Sequence, residues 1–276
     1  MGSVFTFFSL TYLISWSCWF AAIAILQRVS GQPSPVAWLL LMAGTITPAV
    51  VALVLTAYSG NKAGPRSFLS RVIQTSVSLR WYVFAIFYMP AIKGAVALSH
   101  LALTGEWPPF GEESPVVIGI AILLSTPVQS GEEIGWRGYA LPAIAARIGL
   151  RSASIVVGLV WGAWHLPLFF LPGADKYGQS FPLYVTGVVA FSVAIAWLYG
   201  HTQGSLLLAM LMHSSLDQTI GIVSDILRPG QKPFALGASL PFLLTVAWMW
   251  VTAGYFFLTM PPLPVADRAR FKSGLL

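Results

Sequence analysis

The chain has 276 residues, of which 57% are hydrophobic and only 9% charged, and its mean hydropathy is +0.77. Because a soluble domain carries about a quarter charged residues, this composition excludes a soluble globular protein and predicts a polytopic membrane protein. The net charge of +6 fits basic cytoplasmic loops, and no basic patch interleaved with aromatic residues indicates a nucleic-acid partner.

Eight apolar stretches are long enough to cross a lipid bilayer as helices, which takes about 20 residues each. Their apolar residues are continuous and do not alternate, which predicts helices and not the strands of a barrel. The sequence thus predicts an all-α transmembrane protein with a single domain, residues 1–276. In chain order the expected spans are 4–26, 36–58, 81–104, 115–133, 153–172, 181–200, 204–223 and 238–260.

A ninth segment, residues 66–80, is predicted to form a short interfacial helix between the second and third spans. Its apolar side chains recur at helical spacing, and Arg66, Arg71 and Arg80 lie between them. Such a segment lies in the plane of the membrane surface and does not cross the bilayer.

The basic residues predict the orientation of the chain, because cytoplasmic loops carry an excess of lysine and arginine. With eight spans, ten basic residues fall on the side of the two termini and four on the other side. Both termini are therefore expected in the cytoplasm, and residues 173–180 and 224–237 outside. The excess of arginine over lysine, 10 to 5, favours a GC-rich genome and hence a bacterial cytoplasmic membrane.

The first group of polar residues in a membrane-length segment is "GEEIGWRG", at residues 131–138. An ionised side chain at mid-bilayer costs about 2.5–3.5 kcal/mol, so these residues need partners or a wet cavity. Glu133 and Arg137 are four residues apart and are expected to pair on one helix face. Glu132 projects about 100° away and stays free for proton transfer. The alternative is a salt bridge that merely ends the fourth span.

Two further groups each contain a histidine. In "WGAWH" Trp161 and His165 are four residues apart, and in "HSSLD" Asp217 follows His213 by one helical turn, where a carboxylate can orient an imidazole. Taken singly, each is equally explained by a packed histidine or a private hydrogen bond. Taken together, the three groups supply two carboxylates, two imidazoles and an arginine, which suits the activation of water in a shielded pocket.

The three motifs, in this order, resemble those of the CPBP family, the CAAX-protease and bacteriocin-processing intramembrane proteases related to the Ras-converting CAAX endopeptidase. "EEIGWRG" is similar to EExxxR, "WGAWH" to FxxxH, and "HSSLD" to Hxxx followed by asparagine. The resemblance covers about residues 115–220, the expected catalytic core. It implies that Glu132 is the essential glutamate, with His165 and His213 as catalytic histidines. Glu133 and Arg137 complete the first motif.

Two residues depart from the family pattern. Trp161 replaces the phenylalanine and keeps an aromatic wall, whereas Asp217 replaces the asparagine. An ionised aspartate cannot donate a hydrogen bond to an oxyanion as an asparagine amide can. Asp217 is therefore expected either to orient His213 or to be protonated.

The resemblance implies an intramembrane endopeptidase that uses glutamate- and histidine-activated water. Its expected substrate is a membrane-embedded peptide or protein, lipid-modified in some family members, and its site is expected to open to the cytoplasm because Glu132 and Glu133 end an inward-running span. The alternative is a non-catalytic bacteriocin-immunity or membrane-binding protein of the same fold.

The preferred hypothesis needs no cofactor, and zinc is the alternative. Glu132, His165 and His213 are suitable ligand types for catalytic zinc, but the chain lacks the HExxH spacing of many zinc proteases. The single cysteine, Cys18, excludes a cysteine-based zinc cluster.

Overall fold

The computed structural model describes residues 2–28, 34–58, 66, 70–224 and 232–272. These residues form helices and turns, without a β-strand in the described ranges, so the all-α prediction is confirmed. The helices are α1 (Gly2–Arg28), α2 (Pro35–Tyr58), α3 (Leu79–Thr104), α4 (Pro115–Ser125), α5 (Ser130–Gly135), α6 (Leu141–Trp164), α7 (Phe181–His201), α8 (Leu206–Thr219), α9 (Leu240–Leu258) and α10 (Val265–Lys272).

Short 3-10 or π-helical turns link several of these helices. Two 3-10 turns flank the central region, Thr126–Gln129 between α4 and α5 and Leu166–Phe170 after α6, and a third, Ile220–Ile222, follows α8. A π-helical turn, Trp136–Ala140, joins α5 to α6. The chain from Pro115 to Trp164 is thus nearly continuous helix, with changes of pitch at the motif residues.

Serine caps start four of the helices, and three of these helices line the central cavity. The side-chain oxygens of Ser114, Ser180, Ser205 and Ser239 each accept a hydrogen bond from the backbone N–H three residues on. Such caps satisfy N–H groups that the first turn of a helix leaves without a partner. A proline follows three of the four serines by one or two residues, a position where its missing N–H has no cost.

Six helical stretches in the described residues are apolar and long enough to cross a membrane, and a shorter one is Leu206–Ile222. One of the six, Pro115–Phe170, has 56 residues, far more than the 20 or so that a single crossing needs. Gly149 interrupts it with φ 79° and ψ 158°, so α6 is two helices in sequence. The polytopic membrane class is confirmed, and the count of eight spans stays a prediction.

The expected interfacial helix is shorter than the pattern indicated. Residues 67–69 lie outside the described part, the helix ends by Val72, and residues 74–78 are not helical before α3 begins at Leu79. Thr75, Ser76 and Ser78 lie in this break, where hydroxyl side chains favour turns and caps over helix interiors.

The two ends of α7 mark opposite ends of the molecule. At its last turn, Tyr199 donates a 2.6 Å hydrogen bond to the buried carboxylate of Asp267 on α10, and Arg71 contacts both residues. The first residue of α7, Phe181, follows the loop 171–180. A 21-residue helix is about 30 Å long, so Arg71 and α10 lie a membrane thickness away from that loop.

Candidate active site

Two glycines next to the glutamates allow α5 to pack closely against α2. A Cβ on Gly135 would approach the Cβ of Pro48 to 2.6 Å and its carbonyl carbon and oxygen to 2.7 Å, and one on Gly131 would approach the Cα of Ile46 to 3.2 Å. Small residues four apart allow such close helix contacts in membranes. α5 therefore packs directly on α2, and Glu132 and Glu133 are buried between helices.

Glu133 holds two other members of the site. Its Oε1 accepts a 2.8 Å hydrogen bond from Arg137 Nη1 and lies 2.8 Å from His213 Nδ1, which donates to it because a carboxylate only accepts. The expected pair of Glu133 and Arg137 is thus present. The guanidinium of Arg137 also lies 4.0 Å from the ring centroid of Trp161. This cluster is almost wholly buried, with Glu133 and Arg137 both at 0% exposure.

Glu132 faces a different set of partners. The indole Nε1 of Trp161 donates a 2.7 Å hydrogen bond to Glu132 Oε2, and His165 Nε2 lies 4.0 Å from the same oxygen. His165 Nδ1 donates to the carbonyl oxygen of Trp161 at 2.9 Å, which leaves Nε2 as the nitrogen that faces Glu132. Trp161 is therefore a hydrogen-bond donor to Glu132 as well as an aromatic wall. A phenylalanine at this position has no N–H to donate.

Asp217 is not the residue that holds His213. Its Oδ2 lies 3.9 Å from His213 Nε2, too far for a hydrogen bond, and accepts a 2.8 Å hydrogen bond from Gln129 Nε2. Glu133, not Asp217, is the carboxylate within hydrogen-bonding distance of the His213 ring. The sequence analysis did not predict Gln129. Its position three residues before Glu132, on the same helix face, was the signal that could have indicated it.

The structure brings the six predicted site residues together around one cavity of about 140 Å³. Glu132, His165, His213 and Asp217 line it, whereas Glu133 and Arg137 lie directly behind them. The other walls come from α3, α7, α9 and the loop 171–180, and include Met89, Lys93, Asp175, Lys176, Gln179, Tyr184, Phe191, Phe242, Thr245 and Met249. The geometry assembles these residues but does not test their individual roles, which stay predictions.

The cavity reaches the surface at the loop 171–180. The lining side chains of Asp175 and Asp217 are 56% and 39% exposed, whereas those of Glu132 and His165 are at most 10% exposed. Helix continues past the glutamates through the π-helical turn as far as residue 148, so no helix ends at Glu132 and Glu133, and the direction of the span stays a prediction.

The mouth and the C-terminal helix α10 lie at opposite ends of α7. A cytoplasmic α10 and a cytoplasmic mouth, both expected from the sequence, therefore exclude each other.

The same geometry bears on whether the site can hold a metal ion. No three His, Cys, Asp or Glu side chains within the described ranges converge as ligands of one ion. Glu132 and His165 approach each other, but His213 turns its Nδ1 to Glu133 and its Nε2 towards Asp217. As arranged, Glu132, His165 and His213 do not fit a catalytic zinc.

Comparison with known proteins supports the resemblance of the motifs. Residues 112–219 match the family model "Rce1-like: Type II CAAX prenyl endopeptidase Rce1-like". A protein named CAAX prenyl protease 2, from Methanococcus maripaludis, is 24% identical over 270 residues, which cover 91% of this chain and 94% of that protein. These two matches confirm the resemblance to CAAX proteases that the three motifs indicated.

Proposed function

We propose that this Rce1-like chain is an intramembrane endopeptidase that cleaves a membrane-anchored peptide near its C-terminus. The observation that carries this proposal is the 4.0 Å separation of Glu132 Oε2 from His165 Nε2 in the wall of an accessible cavity. A water oxygen about 2.8 Å from each atom fits between them. The name of the relative, CAAX prenyl protease 2, suggests a prenylated C-terminal box as the substrate.

The first chemical step uses the pair Glu132 and His165. Glu132 takes a proton from the water while His165 Nε2 accepts its other O–H and aims the lone pair of the oxygen. The hydroxide attacks the carbonyl carbon of the peptide bond, and a new C–O bond forms as the carbonyl oxygen becomes an oxyanion. Trp161 keeps Glu132 in the orientation that this proton transfer needs, through its indole N–H.

The second step uses His213 and the residues behind it. With Nδ1 held by Glu133, the protonated ring of His213 turns Nε2 as a donor towards the oxyanion. The oxyanion then re-forms the carbonyl as the C–N bond breaks, and the proton that Glu132 took passes to the leaving amine. This yields a carboxylic acid and an amine, and the acid then gives up its proton to solvent. Arg137 balances the charge of Glu133 in a place where neither side chain meets solvent.

A direct assay tests this function. The protein is reconstituted in lipid discs and incubated with farnesylated peptides that end in a C-a-a-X box, and products are identified by mass spectrometry. We expect cleavage by the native protein and a loss of at least about 100-fold in Glu132→Gln, with unchanged thermal stability. Failure to cleave these peptides or a wider peptide library, together with full biological activity of Glu132→Ala, would instead support the non-catalytic binding protein.

A further inference from the structure

Lys176 places an ammonium group in the cavity, close to the site. It belongs to the loop 171–180, lines the cavity, and has a side chain that is only 15% exposed. Its Nζ lies 2.9 and 3.1 Å from the two carboxylate oxygens of Asp175 and 5.7 Å from the ring centroid of Tyr184. Tyr184 in turn packs edge-on against His165, with ring centroids 5.5 Å apart.

This lysine is a permanent cation. Burial alone lowers the pKa of the Lys176 amine, but Tyr184, Asp175 and Asp217 outweigh burial and raise it above its usual range. The amine is therefore protonated throughout the physiological pH range. A positive charge thus faces a cavity whose other walls carry Glu132, Asp175 and Asp217.

The ion pair with Asp175 does not by itself explain why a lysine side chain lies in the cavity. The side chain of Asp175 is 56% exposed at the mouth, and solvent satisfies such a carboxylate without a partner. Ion pairs with an exposed member contribute little to stability. The Lys176–Asp175 pair can therefore open and exchange its carboxylate for one that enters with a ligand.

We infer that Lys176 binds the C-terminal carboxylate of the substrate, an inference that rests on the proposed function. A terminal carboxylate that enters the cavity is repelled by Glu132, Asp175 and Asp217 unless a cation receives it. Three extended residues span about 10 Å, which is comparable with the path from His165 across the Tyr184 ring to Nζ. The position of the ammonium would thus fix how many residues from the C-terminus the cleaved peptide bond lies.

Lys93 is the second lysine among the described residues that line the cavity. It lies within α3 at 1% exposure, with its Nζ 3.5 Å from Thr245 Oγ1. Lys176 is the better receptor for a chain end, because it adjoins the mouth through which the substrate enters. Lys93 provides a matched comparison of equal charge within the same cavity.

The experiment compares two peptides that differ only at the C-terminus, one a free acid and one an amide. The native protein should cleave the acid with the higher kcat/KM. In Lys176→Gln the KM for the acid should rise about tenfold with kcat little changed, so that the preference disappears. Lys176→Arg should retain the preference, and Asp175→Asn should retain or increase it because it frees the ammonium.

A binding measurement separates this inference from the proposed function. Affinities of the acid and the amide are measured by fluorescence titration in the Glu132→Gln background, where turnover is not needed. A preference for the acid that Lys176→Gln abolishes supports the inference even if no peptide is cleaved. An acid-to-amide ratio unchanged by Lys176→Gln, or one abolished only by Lys93→Gln, overturns it. Absence of cleavage by the native protein counts against the proposed function alone.

Discussion

The two adjacent glutamates are expected to respond differently to the same substitution. Glu133→Gln removes the charge that holds the fully buried Arg137 and loosens Nδ1 of His213. Breaking a buried pair costs about 3–5 kcal/mol, so thermal unfolding in detergent should shift markedly downward and turnover should fall. Glu132→Gln should lose turnover alone. Equal thermal stability of the two variants would contradict this division of roles.

Trp161 is expected to position Glu132 through its N–H group. Replacement by phenylalanine, or by a benzothiophene analogue that keeps the ring shape and lacks the N–H, should lower kcat at least about tenfold with the fold intact, since a hydrogen bond to a charged group contributes about 1.5–3 kcal/mol. The same replacements at Trp164 are the control, because its Nε1 has no acceptor in the described part of the chain. Equal losses at both positions would indicate a packing role only.

Catalysis is expected to proceed without a metal ion. Glu132 has Trp161 and His165 as partners, and His213 is engaged by Glu133, so the described side chains leave no three-ligand arrangement. Purified active protein should hold no stoichiometric zinc and should keep its activity after chelator treatment. One equivalent of zinc, lost and regained in step with activity, would overturn this prediction and make the two histidines and one carboxylate ligands.

At the scale of helices, the contact between α2 and α5 decides where the glutamates lie. Gly135→Ala would drive a methyl group to within 2.7 Å of the Pro48 backbone, so the two helices must separate. Overpacking of this kind lowers the free energy of unfolding by about 1–3 kcal/mol. The variant should also lose activity, because Glu132 is displaced. Gly119→Ala is the control, since its Cβ would meet nothing within 4 Å. Native activity and unfolding temperature in Gly135→Ala would show that the contact is adaptable.

At the scale of the molecule, the orientation in the membrane is open to a labelling test. Ser67 and Gln231 belong to loops that the basic-residue count places on opposite sides of the membrane, but both lie outside the described residues. Exposed positions near each end of α7 therefore serve as the labelling sites. In a Cys18→Ser background, Tyr177→Cys should react with an impermeant maleimide in intact cells, as the basic-residue count predicts. Ala266→Cys should react only after permeabilisation.

The opposite labelling pattern would have a definite meaning. It would place the basic residues near the C-terminus, Arg268, Arg270 and Lys272, outside and turn the cavity mouth to the cytoplasm. Either result also decides from which side the substrate reaches the site, because the mouth lies at the loop that contains Tyr177.

Composition and local spacing were sufficient for the class of the protein and for part of the site. Continuous apolar runs determine helices in a membrane, since a backbone in lipid must satisfy its own hydrogen bonds. The pair Glu133 and Arg137 also follows from spacing alone, because residues four apart are neighbours on any helix.

The remaining contacts join residues that are distant in sequence, and only the tertiary structure decides them. Glu133 and His213 are 80 residues apart, Gln129 and Asp217 are 88 apart, and Trp161 and Glu132 are 29 apart. Which side chains meet between two helices depends on how each helix is rotated and how closely it packs. Here the packing at Gly135 and the change of pitch after it set both. The spacing of His213 and Asp217 is equally local, yet Glu133 took the place expected for Asp217 because a carboxylate from a neighbouring helix reached Nδ1 at hydrogen-bonding distance.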